Sequence, residues 1–449
     1  MPLDAKPLSP QPPAIAYARL LREMHRLIGE GKGDSEDAEA LVERMDVPWH
    51  ALTAQEQSRM RGLSADLHTL REGGPKRVDM TPEQLSAWRN AFREANSRSE
   101  SGDIDAELDF LRRPIPSEQP QQFIPFLQAR CWEKLGDLET ALLFMQESDR
   151  QDPNQALSVL LLLQQLERLD ELPQYADRVI ANPNSPPLEL YVAAVALLDP
   201  RRRPGDVEAT PMLRKAVTVL RRALSEYLAL APEERAESPE ADVFIAQALG
   251  FGLEQLGELS SAITVYTDAI GRHPRNGDLF VARGLALYEK DPSRAFADFV
   301  SAVRVGVAAI WPYLLLAQNA LQCGSPAEAL RLALLAERQP GSSPARAQVY
   351  ETIAMALAEL RQSQERVLEN FDRAIALDPK NDRIRENRDI AAVLPAQSRS
   401  GRAGRLRLRP APPVKAEGFR RDRGDQINNN TELLNEQRRN RMSSRLVEV

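Results

Sequence analysis

A small residue recurs at a nearly constant interval through the C-terminal half of the chain. Ala262, Ala295, Ala329 and Val367 are separated by 33, 34 and 38 residues. Self-similarity at such a period is typical of repeat proteins, in which each unit buries its apolar face against the next unit. The spacing therefore predicts a stack of repeats between these residues and not a globule with one central core.

The clearest repeat has a fixed order of residue types. Gly250 is small, Gly257 suits a turn, Ala262 is followed four residues later by the aromatic Tyr266, and Pro274 stands at the end. Small residues allow two helices to approach closely, an aromatic ring fills the gap that they leave, and proline stops the second helix. Further copies of this order contain Gly284, Leu287, Phe299 and Ala302; Leu316, Ala317, Ala320, Gly324, Ala333 and Ala336; Phe371, Ala374 and Pro379; and, upstream, Ala129, Trp132, Gly136, Ala141, Met145 and Pro153.

This order of residues resembles the tetratricopeptide repeat. The resemblance is clearest over residues 122–155 and 243–380, and it departs at Arg283, where the family usually has leucine. It implies an all-α fold, a right-handed α-solenoid of helix-turn-helix repeats whose first helices line a concave groove. The implied activity is to hold an extended peptide or a partner helix, with no catalytic chemistry of the family's own.

The family's register also implies which side chains face the groove. Among them we expect Trp311 to be the most exposed, because Leu314 and Leu316 can fill the core without it. The alternative for any of the aromatic residues is packing inside the array. The implied groove residues are Phe244, Gln247, Phe251, Leu285, Tyr288, Trp311, Leu314 and Gln318.

Helix-start signals punctuate the rest of the chain, and they support an all-α fold with four segments. Thr53, Thr81 and Ser325 each precede a glutamate or glutamine at the third following position, which predicts capping boxes. Apolar residues three and four apart predict helices near Ala14–Ile28, Ser35–Met45 and Thr53–Arg71. The predicted segments are a disordered stretch over 1–13, a helical N-terminal segment over 14–75, the repeat array over 81–395, and a mostly disordered basic tail over 396–449.

Charge is distributed unevenly between the tail and the remainder. Residues 396–449 hold 13 lysines and arginines against 6 acidic residues, a net charge of +7, whereas the chain as a whole carries −7. The tail can bind phosphate backbones or a membrane surface through clustered guanidinium groups, remain solvated, or fold back onto the acidic array. The arginines predicted to contact a polyanion are Arg402, Arg405, Arg407, Arg409, Arg420, Arg421 and Arg423.

Candidate catalytic groups are few. The two cysteines and four histidines of the chain are scattered, so that neither a disulfide framework nor a metal site is predicted. Cys131 stands in an apolar helical segment, which favours a buried, inert thiol. Gly31-Lys32-Gly33 lacks the remaining residues of a phosphate loop. We therefore predict a chain that is not an enzyme, needs no cofactor and takes no small-molecule substrate.

These observations together predict a protein-interaction adaptor. It would bind a protein or peptide in the groove of the repeat array, with the tail adding electrostatic attraction. The alternative is an accessory subunit of a nucleic-acid-associated complex, in which the arginine-rich tail makes weak contacts to RNA or DNA phosphates. The strongest apolar run, residues 156–163, is shorter than the ~20 residues that cross a bilayer. No transmembrane segment is predicted, and the expected location is the cytoplasm.

Overall fold

A computed structural model describes residues 12–74, 76–120, 122–198 and 210–393, together with Leu408 and Ile427. Its contacts divide the chain into two compact units, Met1–Ser185 with Met442–Val449, and Pro186–Arg441. We call these the N-terminal unit and the C-terminal unit. The predicted segment bounds at residues 75, 81 and 395 remain predictions. The described residues are nearly all helical, as predicted.

The N-terminal unit contains nine α-helices, one short 3-10 turn and two short strands among its described residues. The helices pack mainly on their neighbours in the chain: α1 on α2 and α3, α4 on α5, α6 on α7, and α8 on α9. Their bounds are α1 Pro13–Gly29, α2 Glu36–His50, α3 Ala54–Arg71, α4 Pro82–Glu100, α5 Ile104–Leu111, α6 Phe123–Lys134, α7 Leu138–Gln151, α8 Ala156–Gln165 and α9 Leu172–Ala181, with the strands β1 Arg77–Val78 and β2 Ile115–Pro116.

The strands are a small departure from the predicted all-α fold. They are parallel, with Arg77 opposite Ile115 and Val78 opposite Pro116. Each is only two residues long, so that they join two connections between helices and do not form a separate layer.

The predicted N-terminal segment, residues 14–75, packs against the following helices of the same unit. In α1, the guanidinium of Arg22 contacts Asp137, which precedes α7, at 3.0 Å. In α3, Arg59 lies 2.6 Å from Asp105 of α5. Such pairs join residues far apart in the chain and have no local sequence pattern, which is why the sequence suggested a separate segment.

The C-terminal unit is a stack of helical hairpins. The hairpins are α10/α11, α13/α14, α15/α16, α17/α18 and α19/α20, and α21 packs on α20. The helix bounds are α10 Pro187–Leu197, α11 Thr210–Ala229, α12 Pro232–Ala236, α13 Ala241–Gln255, α14 Leu259–Arg272, α15 Gly277–Leu287, α16 Pro292–Val305, α17 Ile310–Gln322, α18 Pro326–Glu337, α19 Ser343–Glu359, α20 Gln364–Leu377 and α21 Asp382–Val393.

The hairpins form two layers. The first helices make an inner layer, in which α10 contacts α13, α13 contacts α15, and α17 contacts α19. Most residues of α13 are buried, whereas α14 buries only Ala262, Tyr266 and Ala269. The second helices are therefore an outer layer with one apolar stripe, and this confirms the predicted repeat of helix, turn and helix.

Small residues lie where the two helices of a hairpin cross. A Cβ atom added to Gly250 would lie 2.2 Å from Cζ of Tyr266, and one added to Gly284 would lie 2.6 Å from Cε1 of Phe299. Both rings are fully buried. The contact between a small residue and an aromatic ring, predicted from the sequence order, is thus present in two consecutive hairpins.

The turns inside the hairpins also repeat. Gly136, Gly257 and Gly324 have φ values of 79°, 78° and 73°, in the left-handed region that favours glycine. Arg361, in the turn between α19 and α20, has a φ of 52° without being a glycine.

The longer spacing of 38 residues before Val367 is explained by a longer helix in the inner layer. The helix α19 has 17 residues, whereas α17 has 13. Most of the additional length is therefore one further helical turn in the inner layer.

Two of the three predicted capping boxes are present. The side chains of Thr53 and Thr81 accept from the backbone N–H groups of Glu56 and Gln84, whose side chains accept from the threonine backbone in return. Ser325 precedes α18 but makes no such bond. Its backbone has a φ of −113° and a ψ of 66°, unlike the extended backbone of both threonines, and the hydroxyl does not cap the helix.

Within the described part of the chain, no helix combines the length and the apolar character needed to cross a membrane. Residues 1–11 and all of the tail except Leu408 and Ile427 lie outside the described residues, so that the predictions of disorder there remain predictions.

Candidate peptide-binding surface

The inner-layer helices have one face that lies between the faces packing against neighbouring helices. In α13, Gly250 faces Tyr266 of α14, and Gly252 faces Val217 of α11. Successive residues of an α-helix are rotated by ~100° about the helix axis. The residues three and six positions before Gly250, and those one, four and five positions after it, therefore lie between these two faces. They are Phe244, Gln247, Phe251, Glu254 and Gln255, and we call this face of α13, with the equivalent faces of α15 and α17, the inner surface.

The predicted groove residues all fall on this surface. Leu285 and Tyr288 stand one and four positions after Gly284, the crossing residue of α15. In α17, the position equivalent to Gly284 is Ala317. Trp311 stands six positions before it, Leu314 three positions before it and Gln318 one position after it. These positions follow from the repeat register, and their role in binding a partner remains a prediction.

Exposure varies widely across the eight predicted residues. Phe244, Tyr288 and Gln318 are half-buried. The other five are buried, namely Gln247, Phe251, Leu285, Trp311 and Leu314. Only the first three present part of their side chains to solvent in this structure.

The expectation for Trp311 is wrong. Its side chain is 5% exposed and belongs to the same buried cluster as Leu314 and Leu285, whereas Leu316 is only half-buried against that cluster. The indole of Trp311 is therefore part of the buried core, together with Leu314 and Leu285. Substituting Trp311 would change packing as well as any contact to a partner.

Acidic side chains accompany the aromatic residues on the inner surface. Glu254 is half-buried and accepts a hydrogen bond from the Tyr266 hydroxyl at 2.8 Å. Asp278 of α15 stands six positions before Gly284, and Glu289 lies two residues beyond the end of α15. Burial raises the pKa of Tyr288 on the same face. The surface thus combines rings with carboxylates, which suits a segment that carries both apolar and cationic side chains.

The departure from the family pattern at Arg283 has a structural explanation. Its guanidinium lies 2.7 Å from Asp298 of α16, and it donates a further hydrogen bond to Thr267 of α14 at 3.1 Å. Asp298 is 5% exposed, so that the arginine pairs a buried carboxylate inside the array. Arg283 is therefore a packing residue and does not belong to the inner surface.

Sequence reasoning missed Gln255, which is 3% exposed at the end of α13. Within the described residues, neither its amide nitrogen nor its amide oxygen has a hydrogen-bond partner. Its position, five residues after Gly250, was available from the repeat register. Buried amides are almost always hydrogen-bonded, so that this one requires an explanation.

The two described residues of the tail lie on the C-terminal unit. Ile427 is 5% exposed, and its carbonyl oxygen accepts a hydrogen bond from the hydroxyl of Tyr191 in α10, at 3.5 Å. Leu408 packs against the buried cluster formed by residues of α15 to α21. The seven arginines predicted to contact a polyanion lie outside the described residues, and their role remains a prediction.

Candidate catalytic groups are not assembled in the part of the chain that the structure describes. Cys131 is fully buried, and this burial raises the pKa of its thiol well above the usual value. A buried thiol with a raised pKa is a poor nucleophile. No group of three or more histidine, cysteine or acidic side chains is placed to hold a metal ion among the described residues.

No family model matches the sequence, and the search among curated proteins finds no match either. Among solved structures, the chain is similar to a tetratricopeptide repeat protein from Parabacteroides merdae, with 13% identity, a TM-score of 0.40, and coverage of 61% of this chain and 99% of that one. It is also similar to the C-terminal part of a repeat-containing protein of the same kind from Cytophaga hutchinsonii, with 14% identity, a TM-score of 0.34, and coverage of 66% and 98%.

A third similar structure is a monomeric mutant of IFIT1 with the capped RNA m7Gppp-AAAA. It has 11% identity and a TM-score of 0.35, and the match covers 84% of this chain and 85% of that one. Identities and scores this low leave the assignment of the fold to the contacts within the chain itself. Those contacts are the crossings of Gly250 with Tyr266 and of Gly284 with Phe299, and the left-handed glycine at the hairpin turn. By these contacts, the C-terminal unit has the fold of a tetratricopeptide-like helical repeat array.

Proposed function

We propose that this chain is a non-catalytic adaptor that binds a segment of a protein partner on the inner surface of its C-terminal unit. The observation that carries the proposal is a contact on α10, the inner-layer neighbour of α13: the hydroxyl of Tyr191 donates a hydrogen bond to the backbone carbonyl of Ile427, a residue 236 positions away. A main-chain carbonyl is common to every peptide. A surface that holds one such group beside a buried aliphatic side chain has the chemistry for peptide recognition.

The half-buried residues of the inner surface supply the specificity in this proposal. Phe244 and Tyr288 offer ring faces, and Gln318 offers an amide, whose nitrogen donates to Gln348 of α19 at 3.5 Å. Aromatic residues are enriched among those that dominate binding energy. We infer a partner segment that combines apolar side chains with cationic ones, because carboxylates lie among the rings.

The test is selection of binding peptides from a displayed random library with the full chain. Phe244→Ser alters the inner surface, and Val300→Ser on α16, where the valine is 44% exposed, is the matched control on the outer layer. We expect Phe244→Ser to weaken the selected peptides by about tenfold, which equals ~1.4 kcal/mol, and Val300→Ser to leave them unchanged. Equal affinity for both variants and the parent chain would remove the proposal.

Nucleic-acid binding by the tail is the alternative function. It predicts an affinity for bulk RNA that falls linearly with salt on logarithmic axes. Replacing Arg420, Arg421 and Arg423 by glutamine then reduces the slope. If the slope and the affinity do not change, the tail is not an RNA-binding segment.

The cytoplasmic location is also part of this proposal. A fluorescent fusion of the full chain, followed by cell fractionation, tests it directly.

A further inference from the structure

The inner surface of α13 is covered. Phe251 is 1% exposed and Gln247 is 6% exposed, although both lie on the face between those that pack on α14 and α11. Gln255, on the same face, is buried without a hydrogen-bond partner among the described residues. An unpaired buried amide costs ~1–3 kcal/mol, so that a covering group able to hydrogen-bond with it is favoured.

Two described residues of the tail contact helices of the C-terminal unit. Ile427 is bound at Tyr191 in α10, and α10 is the inner-layer neighbour of α13. Leu408 packs on the buried cluster formed by residues of α15 to α21, which includes Leu285 and Trp311. Leu408, which precedes Ile427 in the chain, therefore contacts helices that come later in the array than α10.

The length of the chain between these two residues is sufficient. Residues 409–426 number 18, and 18 residues reach at most ~60 Å. Neighbouring packed helices are ~8–10 Å apart, so that even the distance across the inner layer from α10 to α19 is only ~40 Å.

The charges are complementary as well. The inner surface carries Glu254 and Asp278, with Glu289 just beyond the end of α15. Residues 409–426 contain five basic side chains, three of them at Arg420, Arg421 and Arg423, against three acidic ones, a net charge of +2. Opposite charges at a surface favour one register of a bound segment over others.

We propose that residues 409–426 are the occupant of the inner surface, bound as an intramolecular peptide whose ends are held at Leu408 and Ile427. This inference rests on the proposed function and names its ligand: the segment of the chain's own tail. A partner in trans binds the same surface only after it displaces this segment, and it must therefore carry similar chemistry, an arginine-rich stretch followed by a branched aliphatic residue.

Photo-crosslinking in the full chain tests the placement directly. A benzophenone amino acid replaces Phe244 on the inner surface, and a second variant carries it in place of Leu334 on the outer helix α18, where the leucine is 41% exposed. After illumination, mass spectrometry should find residues 409–426 joined to position 244 and not to position 334. Products at position 244 that lack this segment, or no product, would overturn the proposal.

Competition in solution provides a second test that does not depend on the crosslinker. A labelled synthetic peptide with the sequence of residues 405–430 is titrated into the parent chain and into the variant Leu408→Asp/Ile427→Asp, whose array is checked by circular dichroism. Val393→Asp, at an exposed position of α21, is the matched control. We expect the double variant to bind the peptide at least about tenfold more tightly than the parent and the control.

The outcomes separate this inference from the proposed function. If library peptides bind in a manner that depends on Phe244, but the tail peptide binds none of the variants, the adaptor function stands and the intramolecular ligand is rejected. If the tail peptide binds the double variant while no library peptide binds on the inner surface, the surface serves the chain's own tail alone. Release of the segment by RNA, measured as loss of the crosslink, would instead assign the tail to the nucleic-acid alternative.

Discussion

A glycine at a helix crossing makes room for different groups in the two units. In the N-terminal unit, a Cβ atom at Gly62 of α3 would lie 2.4 Å from the guanidinium of Arg112, which pairs with Asp66 at 2.9 Å. In the C-terminal unit, the corresponding space beside Gly250 is filled by the ring of Tyr266. A glycine thus leaves space for an ion pair at one helix crossing and for an aromatic ring at the other.

The two crossings differ in how they depend on conditions. Asp66 is 4% exposed, and burial raises the pKa of its carboxyl, while Arg112 acts in the opposite direction. The stability of this crossing depends on both members of the pair and on pH. The crossing at Gly250 depends on volume, which has no pH dependence. Four predictions test and sharpen this contrast.

The largest effect is expected for Arg112→Met. The substitution leaves the Asp66 carboxylate buried without its partner, and the free energy of unfolding should fall by ~3–5 kcal/mol at neutral pH. The pKa of Asp66 in the folded variant lies above that in the unfolded chain, so that the folded state binds more protons and the deficit shrinks as the pH is lowered. Chemical denaturation at several pH values measures this. Arg113→Met, at the adjacent exposed residue, is the control and should have a much smaller effect.

A smaller loss is expected for Gly250→Ala. The new Cβ atom forces the buried ring of Tyr266 to move, and overpacking of this kind costs ~1–3 kcal/mol. The loss should be the same at pH 5 and pH 8. Gly271→Ala, an exposed position in α14 with no atom near its Cβ, should instead stabilise by up to ~1 kcal/mol. A Gly250→Ala variant as stable as the parent chain would show that the ring does not need this space.

Arg361→Gly is expected to stabilise the turn between α19 and α20. At a φ of 52°, a residue with a Cβ atom destabilises the folded chain by ~1–2 kcal/mol. Glycine removes this strain, but its greater conformational freedom in the unfolded chain offsets part of the gain. The net gain should be below ~1 kcal/mol. Glu167→Gly in the N-terminal unit, where φ is 55°, tests whether the gain is independent of the unit. A loss of stability in both variants would contradict the argument.

The smallest effect concerns an ion pair that the C-terminal unit also contains. Glu351 of α19 is 1% exposed and pairs with Arg383 of α21, and Asn387 donates to it at 3.1 Å. Burial raises the pKa of Glu351, and Arg383 opposes this rise. Between the pKa of Glu351 in the unfolded chain and its higher pKa in the folded chain, the folded state binds more protons than the unfolded state. The contribution of Glu351 to the stability of the fold therefore falls as the pH rises through this range. Relative to Glu351→Gln, the parent should therefore lose stability from pH 4 to pH 7; a constant difference would contradict this.

Features with a local pattern could be predicted from the sequence. The order from Gly250 to Pro274 gave the register of the hairpins, because each contact in it joins residues only 16 positions apart or fewer. The capping threonines Thr53 and Thr81 gave helix starts for the same reason. The inner surface followed from the register, and Gln255 was within reach of the same reasoning.

Features that depend on distant partners could not be predicted. Arg22 and Asp137 are 115 residues apart, and nothing near either residue indicates the other. The division of the chain after Ser185 likewise depends on tertiary contacts and has no local sequence signal. The burial of Trp311 is of the same kind, because it depends on which neighbour fills a shared volume. The helical repeat specifies neighbours in the chain, and tertiary packing decides the rest.

The contact between Tyr191 and Ile427 joins two parts of one polypeptide, and this covalent connection has a thermodynamic consequence. A tethered segment meets its site at an effective concentration in the millimolar range when the connection is short and flexible. The occupancy of this contact is therefore independent of the abundance of the protein. Any competing molecule experiences a threshold set by the tether, and dilution of the protein does not lower it.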